Sequence, residues 1–202
     1  MMYRILCVCL FSLLANISRA EDPPEFRWRS VEIDKIEIGY GLQLADVNGD
    51  GKTDVILADK KSFQWYENPG WEKHVLAKDL TERDNVCIAA RDIDGDGKCE
   101  IAVGGQWNYR DSIKDGAVFY LAPPADRRNP WQPIKLHNDP STHRMHWVKG
   151  PGNEYFLHVK PLRGRGSVDG NGNGLRLLEY TVPQDVHQAW SIDVVCDFMH
   201  LS

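Results

Sequence analysis

Two short stretches of this sequence carry the residue types that hold a metal ion. Asp46-Val-Asn-Gly-Asp-Gly-Lys-Thr-Asp54 and Asp92-Ile-Asp-Gly-Asp-Gly-Lys-Cys-Glu100 put side-chain oxygens at positions 1, 3, 5 and 9 of a nine-residue loop. The donors are Asp46, Asn48, Asp50 and Asp54 in the first loop, and Asp92, Asp94, Asp96 and Glu100 in the second. Gly51 and Gly97 stand at position 6, where a sharp turn favours a residue without a Cβ. The main-chain carbonyls of Lys52 and Lys98 fall at position 7. Hard oxygen donors at this spacing suit one Ca²⁺ per loop, while Mg²⁺ demands a tighter octahedron and keeps its waters. An EF-hand would add a Glu at position 12, but Leu57 and Val103 stand there, inside apolar runs. These are therefore loops between two strands, the second of which supplies the position-9 acid. A third stretch in the same register, His146 to Glu154, has one acid and a Gly-Pro-Gly-Asn turn and is expected to take no calcium.

The loops are repeats of one another. Asp92 follows Asp46 by 46 positions, and self-similarity with a period of 20–50 residues marks a solenoid or propeller. Trp71, Trp131 and Trp190 recur at near-constant spacing, each opening a short apolar strand, and Trp28 begins a similar stretch. Runs of four to eight apolar residues bounded by Gly, Pro, Asn and Asp read as strands, and no helical period is sustained. The second unit reads as strands at 86–91, 100–104, 117–122 and 131–137. The third reads as strands at 145–149, 155–161, 175–182 and 190–196, and the first runs likewise from Tyr40 to Lys78.

Four antiparallel strands per unit make a propeller blade. The expected fold class is all-β, a β-propeller of four-stranded antiparallel blades of which about three are present. The expected division is a signal peptide at 1–20, an outer strand at 27–34, blade one at 35–80, blade two at 81–138, blade three at 139–196 and the start of blade four at 197–202. Propellers close with roughly 4–8 blades, and an open arc exposes strand edges. The chain therefore reads as an incomplete propeller; a complete small β-protein with edges covered by a dimer is the alternative.

If the Asp loops join the first and second strands of a blade, the other connections gather at the opposite face. They bring Arg83, Trp107, Tyr109, Arg110, His143, Arg144, Arg163, Arg165 and His200 toward one surface, with His146 and His158 just inside the adjoining strands. Rigid blades holding variable loops are where propeller function resides. Aromatic rings beside Arg suit a sugar or an anion, and converging histidines could hold a metal or move a proton. Each also has a plainer reading: loop arginines are solvated, His158 is hydrogen-bonded within its strand, and Trp107 and Tyr109 cap a blade.

The Asp loops, placed before apolar strands and repeated in register, resemble those of FG-GAP/VCBS repeats in integrin-like propellers. Thr142-His-Arg-Met-His-Trp147, Val159-Lys-Pro-Leu-Arg-Gly-Arg-Gly166 and Met199-His200 look like segments of large secreted proteins of that kind. They are similar, more distantly, to the propeller of aldos-2-ulose dehydratases, sugar lyases that use divalent metals and carry cupin domains absent here. The resemblance implies a calcium-binding propeller and, through the dehydratases, a sugar substrate and a second divalent metal.

Composition agrees with a secreted globular protein. The 202 residues are 42% hydrophobic and 26% charged, with net charge −5. Met1 to Arg4 is basic, Ile5 to Leu14 is apolar but too short to span a bilayer, and Ser18-Arg19-Ala20 offers a cleavage site. This is a secretory signal pattern, implying a secreted or periplasmic protein. Its removal takes away two arginines and no acid, so the mature chain is more acidic still. Nothing in this balance suggests nucleic acid, which calls for a basic face, and no other stretch is apolar enough to cross a membrane. Cys87, Cys99 and Cys196 remain, an odd number. A Cys87–Cys99 disulfide across one Asp loop is conceivable, and buried free thiols are the plainer reading.

Two functions stay open. The first is a non-catalytic scaffold binding an extracellular glycan or protein. The second is part of a carbon–oxygen lyase acting on sugars, with His143, His146, His158 or His200 as metal ligands or acid–base groups. No nucleophile motif is present, and fold alone does not imply chemistry, which favours the scaffold.

Overall fold

Among the described residues the apolar runs become twelve strands in three four-stranded antiparallel sheets, each a meander in chain order. The computed structural model describes residues 27–166 and 172–198. The first sheet holds β1 (Gly41–Ala45), β2 (Asp54–Ala58), β3 (Ser62–Glu67) and β4 (Glu72–Lys78). The second holds β5 (Cys87–Arg91), β6 (Glu100–Gly105), β7 (Ala117–Ala122) and β8 (Gln132–Leu136). The third holds β9 (Thr142–Lys149), β10 (Tyr155–Pro161), β11 (Leu175–Thr181) and β12 (Ser191–Phe198). Their leading strands lie side by side, β5 against both β1 and β9. This is the arrangement of propeller blades, and no barrel closes among the described residues.

The second sheet shows why its strands read as unbroken apolar runs. Successive side chains point to opposite faces, and both faces here are covered. Ile88, Ile101, Val103, Phe119 and Leu121 pack on Ile56, Phe63, Trp65 and Leu76 of the first sheet. The intervening Cys87, Ala89, Ala102, Val118 and Tyr120 pack on Met145, Trp147, Leu157, Leu178 and Tyr180 of the third. Trp131 precedes β8, is buried, and joins the sheets by donating its backbone N–H to Leu76 O at 2.7 Å. Trp131 and Trp190 each donate the indole N–H to the carbonyl four residues back, at Arg127 and Val186.

Close approach of the sheets depends on small residues. A Cβ on Gly41 would lie 3.2 Å from the Cα of Cys87 on the neighbouring sheet. One on Gly104 would meet Cys87 Sγ at 2.5 Å and Thr142 Cγ2 at 3.0 Å. Cys87 and Cys99 are free, buried, and sit in different cores, Cys99 between the first two sheets and Cys87 between the last two. The conceivable disulfide is not formed.

Three expectations need correction. Residues 27–40 form no strand. An extended segment becomes a strand only where a neighbouring edge takes up its N–H and C=O groups, and none of the three sheets extends to it. Carboxylates serve part of this stretch instead: Asp59 Oδ1 accepts the amides of Glu37 and Ile38 at 3.1 and 2.7 Å, and Asp34 accepts Tyr66 Oη–H at 2.6 Å. Next, β9 begins at Thr142, so His143 and Arg144 belong to a strand and not to the loop leading into it; Lys160 and Pro161 pair with Arg144 and Thr142 across a bulge. Finally, Asp197 and Phe198 continue β12, in register with Arg176 and Leu175, and do not begin a fourth unit. The signal-like segment 1–20 and Met199–Ser202, with His200, lie outside the described residues. A unit ending at Glu32 and one beginning at Ile33 are distinct. Among the described residues no helix is long and apolar enough to cross a membrane.

Gly104→Ala is expected to destabilise the protein by about 1–3 kcal/mol through overpacking. Cys87→Ala in the same chain removes the sulfur in the way and should restore part of the loss. Thermal melts of both variants check this; a Gly104→Ala protein as stable as wild type would refute the close-approach argument.

Candidate functional site

Both Asp loops join the first and second strands of their sheets, β1–β2 and β5–β6, and are folded alike. In the second, Asp92 accepts the amides of Gly95 and Gly97 at 2.7 and 3.0 Å. Asp94 accepts that of Asp96 at 3.0 Å, and Asp96 that of Lys98 at 2.8 Å. In the first, Asp46 accepts Gly49 and Gly51 N–H, both at 2.7 Å, Asn48 accepts Asp50 N–H, and Asp50 accepts Lys52 N–H. Gly51 and Gly97 have φ of 81° and 85°, the left-handed turn that position 6 requires. The position-9 acid closes each loop from behind: Asp54 Oδ2 accepts Val47 N–H at 2.9 Å and Glu100 Oε2 accepts Ile93 N–H at 3.1 Å.

The second loop gathers Asp92, Asp94 and Glu100 with ligand oxygens within 4.8 Å of one another, a group that could hold a metal ion. The donor set is entirely carboxylate oxygen, which fits a hard divalent cation and not one that prefers nitrogen or sulfur. Glu100 is buried. Burial, then the neighbouring charge of Asp94, pushes its carboxyl up to about 7, and Arg127 at 3.4 Å offsets this only in part. The first loop differs in detail. Its position-3 donor is the amide Asn48, whose Nδ2 donates to Glu67 Oε1 at 2.9 Å. Asp54 is fully buried and its second oxygen accepts Asn68 N–H at 2.9 Å. Burial raises its pKa as well. Lys52 Nζ reaches Asp50 at 2.7 Å and Lys98 Nζ reaches Asp96 at 3.4 Å, so lysines share the outer carboxylates. The β9–β10 connection is a short turn closed by Gly150 N–H to Glu154 O at 2.9 Å.

The connections at the other end form a hydrogen-bonded seam. Trp107 N–H donates to Asp84 O at 2.9 Å, Ser141 N–H to Asp115 O at 2.5 Å, and Leu162 N–H to Ser141 O at 2.8 Å. The buried Asp115 carboxylate is the hub: it accepts from Gln106 Nε2 at 3.1 Å, Asn108 Nδ2 at 2.7 Å and Arg83 Nε at 2.9 Å. Trp107 stacks on His143 with ring centroids 5.0 Å apart. Burial, followed by Arg144 and Lys160, holds the His143 imidazole down at about 4, so it is neutral at physiological pH. Tyr109 is exposed with Arg110 lying 5.1 Å from its ring centre.

Among the described residues, His143 does not converge with His146 and His158. Met145 and Trp147 face the second sheet, so His146 on the same strand faces away from it, exposed, and pairs in register with His158. His158 Nε2 lies 2.6 Å from Glu179 Oε2. Arg144 and Arg163 are exposed, and Arg165 sits 4.0 Å from the buried Asp139, which Arg176 holds with two hydrogen bonds. The structure therefore joins Arg83, Trp107 and His143 in one seam and leaves His146 and His158 on another surface. Sequence reasoning missed Asp115, Glu67, Arg127 and Arg128. An Asp-Gly turn at Asp115–Gly116 and two adjacent arginines between Pro124 and Pro130 were the signals available.

Fold and loops together define an all-β, propeller-like protein whose blades carry Asp-rich loops at one end. Residues 46–103 match the family model of the FG-GAP-like repeat, and the chain carries this repeat. The match starts at position 1 of the first loop and ends in β6, just beyond the second. No curated protein matches the chain.

In metal-free protein, Glu100 contributes stability in its protonated form. That contribution is complete below its ordinary value of 4.5 and is lost as pH rises through about 7. Glu100→Gln should remove this part of the pH slope and leave the chelated protein more stable than wild type at pH 8. Thermal melts in chelator from pH 4.5 to pH 8 test this, and an unchanged slope would count against it.

Proposed function

We propose that this chain is a secreted, calcium-stabilised scaffold that binds an extracellular partner, in the first instance a carbohydrate, on the face away from its Asp loops. The carrying observation is the loop pair. Both loops turn through glycines with the same left-handed φ, both place acids or amides at positions 1, 3, 5 and 9, and the second gathers three carboxylates within 4.8 Å. Asp46, Asn48, Asp50 and Asp54, with the Lys52 carbonyl, would hold one Ca²⁺. Asp92, Asp94, Asp96 and Glu100, with the Lys98 carbonyl, would hold another. The ion neutralises carboxylates that otherwise repel across a hairpin, so its role is structural. An apolar N-terminal run ahead of Ser18-Arg19-Ala20 supports export, into surroundings where affinities on the order of 10⁻⁴–10⁻³ M suffice.

On the other face, Trp107 and Tyr109 offer ring surfaces, Arg110, Arg144 and Arg163 offer donors, and the Asp115 hub keeps the loop rigid. Aromatic faces beside fixed donors suit sugar rings. Because this loop is tied to neighbouring connections through Asp84 and Asp115, little ordering entropy is lost when a ligand docks.

Elemental analysis of protein dialysed against millimolar calcium should find, above the buffer, one calcium ion per loop. Chelation should lower Tm by roughly 5–10 °C per site at calcium a hundredfold above Kd, and an unchanged Tm would refute the calcium reading. Trp107→Ala should abolish glycan-array binding, or weaken it tenfold or more, while the calcium-dependent Tm shift persists. Equal glycan binding by the variant, or none by wild type, would remove the carbohydrate reading.

A further inference from the structure

The two Asp loops touch. Cys99 N–H, at position 8 of the second loop, donates to Asp46 O, at position 1 of the first, at 2.8 Å. A Cβ on Gly49 of the first loop would lie 2.9 Å from the aliphatic side chain of Lys98 in the second. The β7–β8 turn adds a cation at this junction. Arg127, with its side chain 11% exposed, donates to Val47 O of the first loop at 3.3 Å and to Cys99 O of the second at 2.6 Å; its other terminal nitrogen lies 3.4 Å from Glu100 Oε1. Its neighbour Arg128 clamps Glu67 with bonds of 2.8 and 2.6 Å, and Glu67 in turn orients the Asn48 amide.

We propose that Arg127 couples the two loops, so that a cation ordered in one raises the affinity of the other. This rests on reading both loops as calcium sites. The main-chain carbonyls of Val47 and Cys99 share one guanidinium, so drawing Asp46 or Glu100 onto an ion fixes backbone on both sides of the junction. The second ion then enters a loop whose ordering is already accomplished, which is positive cooperativity without a change of fold. Linkage must be reciprocal, the same factor in either direction. Arg127 is a positioning residue and not a ligand: its charge faces Glu100, and its role is to hold carbonyls that face the junction.

Calorimetric calcium titration of the full, metal-stripped chain tests this. Asp50→Ala silences the first loop and Asp94→Ala the second; both side chains are exposed and neither takes part in the junction. In the wild-type background, silencing either loop should weaken calcium at the other by about 5–150-fold, equally in both directions. In Arg127→Gln both loops should still bind, but silencing one should no longer affect the other. Arg127→Lys, which keeps the charge and loses the fork, should behave the same and covers the case of a poorly folding glutamine variant. Calcium at both loops with no linkage in wild type overturns the coupling and leaves the calcium reading standing. Linkage that survives both Arg127 variants overturns the assignment to this residue. No calcium heat at either loop overturns the calcium reading and the coupling together.

Discussion

Packing of one twisted four-stranded sheet against the next is the constraint on which everything else rests. The second sheet has a core on each face, and its leading strand lies against the leading strands of both neighbours. Side chains there must be small where main chains approach and large where gaps remain. Gly41 and Gly104 meet the first demand, while Trp65, Phe119, Tyr120 and Trp131 meet the second. Interiors at this density transmit displacement, so loops at the ends of these strands are placed by the sheets and not by their own sequence.

The Asp loops add an electrostatic constraint at one end. Several carboxylates are confined near the buried ends of β2 and β6, and Asp54 and Glu100 are raised in pKa chiefly by desolvation. Backbone amides inside each loop satisfy part of that charge, and Arg127 from a neighbouring turn lies 3.4 Å from Glu100. What remains is a concave set of hard oxygens. In the second loop, three of these oxygens lie close enough together that they could hold a metal ion.

The other end is built on hydrogen bonds in place of charge clustering. A single buried carboxylate, Asp115, organises three donors from two connections, and Trp107 is pinned by both a backbone bond and His143. The two ends therefore differ in kind: one gathers carboxylates that could hold a metal ion, and the other presents a hydrogen-bonded, partly aromatic surface. His158 has a partner in Glu179 on the sheet face away from this seam, which separates it from the Trp107 neighbourhood.

By itself the sequence determined what is local. Apolar runs bounded by Gly, Pro, Asn and Asp marked the eight strands of the second and third sheets within a few residues and the extent of the first sheet, because turn chemistry acts over neighbours. Donor spacing and the two position-6 glycines marked the Asp loops for the same reason. The tertiary structure alone decided the rest. Arg127 reaches Val47 across 80 positions of chain, and no periodicity signals so distant a contact. His143 and His146 share one short segment yet face opposite ways, since a bulge near His143 and the pleat of β9 set their directions. The expected strand at 27–34 failed because a strand is made by its neighbour: backbone donors and acceptors need a partner edge, and which edges are available is a property of the assembled sheets.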